Sequence, residues 1–264
     1  MRRHKNFKLF TRSPVKIRRN ISFYHDKTEA EFSRDIYEDY DRVVRRQVLL
    51  HYGESVTGVY PYTQIERFIL NRIPQTEDLK ILEIGCGVGN IIGAIALRRP
   101  SAVCIGIDYS YQLLRVADDF WREGKSLEIK GERQGWENKS TDGEKCENLT
   151  FALAKAENLP LTSDTFDCVV SCFLLDRVEN IEATISEMHR VLKPGGKLLL
   201  IFPQNYRTAA HWQQFFPFAK LTEYILKTGF TCKNAGEKIQ INEPLDAAGN
   251  AVLWQCMALE AVKI

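Results

Sequence analysis

Short apolar runs recur along the middle of the chain, at Lys80 to Ile84, Ala102 to Asp108, Leu149 to Ala154, Asp167 to Phe173 and Lys197 to Phe202. They are rich in Val, Ile and Leu and do not alternate with polar residues, which is the pattern of parallel strands covered on both faces. Helix-length segments separate most of them. Asn90 to Arg98, Ser110 to Trp121 with Ser110 as N-cap, and Ile181 to Leu192 read as helices, the last closed by Lys193-Pro194-Gly195-Gly196. Strand and helix in alternation predict a doubly wound α/β fold with helices on both faces of the sheet.

The flanks follow other rhythms. From Asp26 to about Tyr52, Phe32, Ile36, Tyr40, Val43, Val44 and Leu50 fall near a helical period, which predicts one or two amphipathic helices stopped by Gly53. Thr63-Gln64-Ile65-Glu66 opens another helix, ended by Pro74. After Pro203 the pattern predicts a helix around Ala219 to Thr228. Strands near Phe230 to Ile241 and Val252 to Val262 follow, joined across Ala248-Gly249-Asn250. Residues 124–148, polar and rich in Gly, Lys and Glu, read as a surface insertion. The expected organisation is a basic, flexible arm over 1–25, a helical lid over 26–62 and one α/β domain over 63–264.

With 264 residues and 44% hydrophobic content, the chain is long enough for one large core. No apolar run approaches the roughly 18 residues of a membrane span. Seven cysteines, an odd number without a hydrophobic leader, predict reduced thiols and a cytoplasmic setting. No Cys/His spacing resembles a metal site. The net charge of +2 hides an asymmetry, since residues 1 to 20 carry eight Lys/Arg and no acid. Such an arm suits nucleic acid, an anionic membrane or an organelle transit peptide. It lacks the aromatic interleaving of a nucleic-acid groove, and a frayed, solvated terminus is the simpler expectation.

Chemistry concentrates at Glu83-Ile84-Gly85-Cys86-Gly87-Val88-Gly89, a glycine-rich bend that follows one strand and opens a helix. Asp108 ends the next strand 19 residues after Gly89, placed to accept both hydroxyls of a ribose. Residue 90 is Asn where the dinucleotide pattern wants a third Gly, which disfavours an NAD-dependent dehydrogenase.

Ile81 to Asn90, Ile105 to Ser110, Ala156 to Leu161 and Glu187 to Phe202 together resemble the successive motifs of class I S-adenosylmethionine-dependent methyltransferases. The Leu192 to Gly196 turn is similar to that of the small-molecule branch. The resemblance covers roughly residues 63 to 262. It implies a Rossmann-like, seven-stranded, mostly parallel sheet with an antiparallel last strand, and S-adenosyl-L-methionine as cofactor. It makes Glu83 a polar anchor near the methionine end, Gly85, Cys86 and Gly87 a backbone wall, and Asp108 the ribose ligand. Tyr109 would lie against the adenine, with Ala156 and Glu157 at its edge, although Lys155 stands where relatives often have Asp. Cys172 and Phe173 would meet the amino-acid part.

On the acceptor side, Leu175-Asp176-Arg177-Val178 occupies the place of the Leu-His-His-Val often seen in relatives. Asp176 is a candidate base and Arg177 a candidate anion ligand, with a pair that caps the next helix as the alternative. His25 and His211 are further catalytic candidates, and Tyr24 and Tyr206 candidates for holding substrate. His51 has no partner pattern. The expected function is methyl transfer to O, N or C of a small-molecule acceptor. An RNA or protein methyltransferase recruited by the arm and a non-catalytic cofactor-binding module are the alternatives.

Overall fold

A computed structural model describes residues 9–264, so the first eight positions of the expected arm lie outside the described residues. The chain begins with β1 (Lys16–Arg18) and β2 (Ile21–Phe23), then a string of short helical pieces: α1 (Glu29–Arg34), a 3-10 turn Ile36–Glu38, a π turn Tyr40–Val44, α2 (Arg45–Tyr52) and α3 (Glu54–Thr57). The alternating part runs α4 (Thr63–Leu70), β3 (Lys80–Ile84), α5 (Asn90–Arg98), β4 (Val103–Asp108) and α6 (Tyr111–Trp121). A polar ribbon, β5 (Leu127–Ile129) with β6 (Lys139–Thr141), interrupts it before β7 (Leu149–Leu153), β8 (Phe166–Cys172), α7 (Ile181–Val191) and β9 (Leu192–Phe202). α8 (Ala209–Phe215), α9 (Phe218–Lys227), β10 (Phe230–Pro244) and β11 (Ala251–Lys263) complete the chain.

The main sheet has the order β1-β2-β7-β4-β3-β8-β9-β11-β10. From β2 to β9 neighbours are parallel, and β11 enters antiparallel between β9 and β10. The sheet therefore has nine strands where seven were expected. The two additions come from inside the stretch read as a flexible arm. β2 pairs with β7, and Tyr24 N donates to Leu153 O at 2.8 Å. Ile21 and Phe23 bury their side chains in the core. The pairing covers what would be an open sheet edge, and a three-residue strand among basic residues is too short to show in a hydropathy pattern.

Successive strand residues point to opposite sides of the sheet. Ile81, Val170 and Ile201 meet Ile69 of α4, Ile92 of α5 and Leu114 of α6 in one core cluster. Leu82, Val169 and Leu200 meet Ile185 of α7, Phe215 of α8 and Ile225 of α9 in another. Helix α8, whose start Thr208 caps by accepting from His211 N at 3.1 Å, was not foreseen.

The segment expected as one or two lid helices is broken into pieces, and two aspartates account for the breaks. Asp35 and Asp39 each end one turn and cap the next by accepting from Tyr37 N and Arg42 N. Local side-chain acceptors of this kind compete with a continuous helix. The insertion buttresses this segment: Ile129 is buried with Val44, Val48 and Leu49.

Gly93 of α5 packs under the Trp121 indole, and a Cβ there would sit 2.2 Å from the ring. Gly93→Ala is expected to destabilise the protein by about 1–3 kcal/mol through overpacking. The measurement is a lowered urea midpoint at unchanged slope; an unmoved midpoint would show that the indole yields freely.

Candidate functional site

The bend after β3 is docked on the next strand through its backbone. Gly85 N and Cys86 N both donate to Ile107 O, at 2.7 and 3.0 Å. Gly85 and Gly87 have φ of +76° and +54°, a region side chains avoid. At Gly85 a Cβ would press on Leu174 at 3.0 Å, whereas at Gly87 it would meet no protein atom within 4 Å. The bare side of Gly87 is thus a surface that a ligand can approach to backbone distance. Cys86 is buried beneath the bend, and burial, with Asp108 and Glu83 nearby, pushes its thiol well up. It contributes backbone, not reactivity.

Two carboxylates stand at neighbouring strand tips beside this bend. Glu83 is 2% exposed and accepts from Ile92 N at 2.9 Å. Asp108 accepts from Gly87 N and Ser110 N, both at 2.8 Å, tying the bend to the start of α6. Burial raises both carboxyls above the ordinary range; backbone N–H bonds offset part of each shift, Asp108 adds to that of Glu83, and for Asp108 the Asp35 carboxylate raises and the Lys27 ammonium lowers. Among the described residues no salt bridge neutralises either group. Buried carboxylates left this way favour a cationic ligand, which restores what burial removes.

The lid closes over this place. Ser110 Oγ donates to Tyr37 O at 3.0 Å, and Tyr37 itself lies among Asp108, Arg177 and Arg207. Tyr109 has Lys27 Nζ 4.2 Å over its ring and His25 beside it at 5.5 Å between centroids. Lys27 is clasped by Asp35 and Glu38. Glu31 joins His25 Nε2 at 3.1 Å and Lys155 Nζ at 2.5 Å. Lys155 thus anchors the lid, in the position where relatives often carry an acid. His25 is part of that latch and not of the acceptor side. Ala156 is buried behind Lys155, and Glu157 turns away to accept from Glu179 N at 3.2 Å.

The structure brings together several of the residues expected on the acceptor side. Asp176 is 1% exposed, accepts from Asn205 N at 3.1 Å, and leaves Oδ1 without a partner. Burial raises its carboxyl, while Arg177, with Nε 3.9 Å away, lowers it. Tyr206 and His211 lie in the same neighbourhood, their rings 6.5 Å apart, and the Tyr206 hydroxyl and His211 Nδ1 are buried without partners. Gln204, with φ of +56°, adds an unpartnered Nε2. Cys172 and Phe173 end β8, and Phe173 takes a left-handed turn while donating its N–H to Ile201 O at 2.8 Å.

One substrate candidate is corrected. Tyr24 is 5% exposed and stacks on Phe10 at 4.8 Å inside the second core cluster, so it is a packing residue that seats the added strands. The sequence reading also missed a group. Tyr60 accepts from Asn90 Nδ2 at 2.7 Å, right at the start of α5. Tyr62 donates to Glu243 at 2.6 Å and packs edge-on to Phe173, while His51 stacks on Tyr62 at 4.5 Å. Two tyrosines flanking Pro61 were a usable signal, but nothing local says that they face a strand tip more than 100 residues away.

Residues 82–200 match the family model described as methyltransferase domain. A ubiquinone/menaquinone biosynthesis C-methyltransferase of Geotalea daltonii is 28% identical over 136 residues, 51% of this chain and 50% of the relative. An uncharacterized methyltransferase of Schizosaccharomyces pombe is 30% identical over 154 residues, 56% of this chain and 50% of the relative. The chain thus spans about half the length of these curated relatives. Among solved structures, an S-adenosylmethionine-dependent methyltransferase of Methanosarcina mazei superimposes with a TM-score of 0.52 at 22% identity, over 74% of this chain and 97% of that one.

The bend and the two carboxylates fit S-adenosyl-L-methionine, which brings both an ammonium and a sulfonium. Asp108→Ala is expected to weaken its binding about tenfold to a hundredfold, the worth of a charged hydrogen bond, in calorimetry on protein of unchanged circular dichroism. Both carboxyls are raised on folding, so their contribution to stability is full below the ordinary carboxylate range and is lost as pH rises through the raised values. A cationic ligand selects the ionised form, so cofactor affinity should climb over that same window and climb less in Asp108→Asn. Fold, bend and family match point the same way: residues 82–200 of this chain match the methyltransferase-domain family, and the fold around them is shared with S-adenosylmethionine-dependent methyltransferases.

Proposed function

We propose that the protein transfers the methyl group of S-adenosyl-L-methionine to O, N or C of a small-molecule acceptor. The observation that carries this reading is the closed lid. Tyr37, latched to Ser110, lies over Asp108, and the Lys155–Glu31–His25 latch flanks Tyr109. A site roofed in this way admits a small molecule more readily than an RNA strand or a protein chain. In the described part of the arm, Lys16 pairs with Asp26 and its strand is taken up by the sheet, so these residues are engaged within the protein. The C-methyltransferase relatives favour carbon as the methylated atom.

When bound, the cofactor supplies an electrophilic methyl on sulfur. The chain's own residues position and screen. Glu83 and Asp108 hold the two ends of the cofactor, and the bare Gly87 lets its backbone approach. Aromatic rings at Tyr60, Tyr62 and Phe173 favour a positive sulfonium without competing for the methyl. In-line displacement needs chiefly that an acceptor lone pair be held against the methyl while the carbon–sulfur electron pair stays on sulfur. Asp176, with its free Oδ1, receives the acceptor's proton or holds its N–H or O–H group, and Arg177 offers a guanidinium to an anionic substituent.

Purified protein is expected to release S-adenosylhomocysteine on a panel of small phenols, amines and enols. Asp176→Asn should then cost about 10²–10⁴ in kcat, the usual worth of a proton acceptor. In the wild type, kcat should rise with pH through the raised carboxyl value and flatten in the variant. Tight cofactor binding with no turnover on any acceptor would favour a binding module instead, and an Asp176→Asn enzyme at full speed would remove Asp176 from the chemistry.

A further inference from the structure

Facing the tips of β3 and β8, a set of residues outside the matched family region gathers beside the rings that flank the cofactor end. His51 comes from α2, Tyr60 and Tyr62 from the approach to α4, and Glu243 and Trp254 from the β10–β11 hairpin. The register brings the hairpin residues together: Trp254 opposes Ile241, and Glu243 lies two positions further along the same face. Tyr62 is the hub. It donates to Glu243 at 2.6 Å, stacks on His51 at 4.5 Å and meets the edges of Tyr60 and Phe173, each at 5.9 Å. Phe173 ties the set to the cofactor end of β8, and Tyr60, through Asn90, ties it to the glycine bend. His51, Tyr60 and Trp254 are each partly buried as residues, while Nδ1 of His51 and Nε1 of Trp254 are fully covered.

Two polar atoms in this aromatic setting have no partner: His51 Nδ1 and Trp254 Nε1. Buried polar atoms in native proteins are nearly always paired, so an unpaired couple among aromatic rings marks a place where something else supplies the bonds. We propose that His51 and Trp254 are the residues that select the methyl acceptor, and that the acceptor is a flat, uncharged ring carrying a polar oxygen or nitrogen. This rests on the methyltransferase reading above and deepens it.

The chemistry of the couple defines the ligand. The indole N–H can only donate, so the ring must present an acceptor atom to Trp254. A neutral imidazole takes either role, so His51 holds a hydroxyl, an N–H or a second acceptor atom according to its tautomer. Burial lowers the His51 imidazolium to about 4, so the ring is uncharged at neutral pH. The other titratable groups acting on the set are Glu243, already engaged by Tyr62, the carboxyls of Glu66 and Glu83 and the Cys172 thiol near Tyr60, and Tyr60 and Tyr62, whose hydroxyls burial raises. Arg46, the nearby cation on α2, is turned to Pro244 O at 2.6 Å. Among the described residues the set itself therefore offers no free cation to a carboxylate or phosphate, the acids Glu66, Glu83 and Glu243 disfavour one, and stacking against Tyr62 and Phe173 favours a planar ligand.

The test measures binding, which needs no turnover. The probes are an uncharged phenol, a hydroxyquinoline, a benzoate and a benzylammonium, each titrated by saturation-transfer NMR into protein loaded with S-adenosylhomocysteine. The uncharged rings are expected to bind at least tenfold more tightly than the charged ones. His51→Phe and Trp254→Phe should each weaken them at least tenfold while S-adenosylhomocysteine affinity stays put. His51→Gln, which keeps a side-chain hydrogen-bonding group, should recover part of the loss. In turnover the same variants should raise KM and leave kcat within threefold. Equal affinities in wild type and both Phe variants, the result if the two atoms hold ordered water only, would overturn the assignment and leave the methyltransferase reading standing. A preference for the charged rings would do the same. Loss of S-adenosylhomocysteine binding in the wild type would overturn both.

Discussion

Two carboxylates at neighbouring strand tips, Glu83 buried and Asp108 half-buried, with no salt-bridge partner among the described residues, are the constraint on which the site depends. Glu83 and Asp108 end adjacent parallel strands, and each is held by backbone N–H groups of the bend or of the helix that follows it. Backbone donors fix where the oxygens lie and partly offset desolvation, but they do not remove the charge. The free protein therefore carries an electrostatic deficit in one place, and a cation is what fills it. Because the groups sit at strand tips, their spacing is set by the sheet and not by flexible loops, so the site is positioned by the most rigid part of the molecule.

The remaining features are arranged around that deficit. Gly85 and Gly87 keep the bend bare and close, with Gly85 wedged against Leu174. The lid, broken by Asp35 and Asp39 into short turns, can follow a curved surface that a straight helix could not. It is fastened to the domain by polar contacts at Ser110 and Lys155 and by the buried triplet of Lys27, Asp35 and Glu38. Few apolar residues hold α1, in which none is buried, so this first part of the lid is the lightly held one, while α2 is anchored by Val48 and Leu49. That division of labour, a rigid sheet for the cofactor and a lightly held cover for access, is what enclosing a small acceptor requires.

The side proposed for the acceptor differs in construction. Asp176, Gln204, Tyr206 and His211 come from the loops after β8 and β9 and from α8, whereas His51, Tyr62, Glu243 and Trp254 come from α2, the approach to α4 and the terminal hairpin. The segments outside the family core thus supply the aromatic side. This is consistent with a shared cofactor site and a private acceptor site, since catalytic machinery and specificity are placed on different parts of the same fold.

Lys193 to Gly196, expected as a turn, is the irregular start of β9, whereas the order of strands and helices, the glycine bend and the acid at the end of the second core strand were legible in the sequence. They are local: an apolar run, a capping serine or a glycine pair acts within a few residues, and hydropathy records it. The short edge strands β1 and β2 escaped notice because their stability comes from pairing with β7 and not from their own composition. Tyr24 looked like a lid aromatic and proved to stack on Phe10. His51 had no sequence partner because its partner, Tyr62, is joined in turn to Glu243, 181 residues further on. Chemistry that depends on backbone conformation could be read from the chain itself, while chemistry that depends on which side chains share a hollow was decided only when distant elements were packed together.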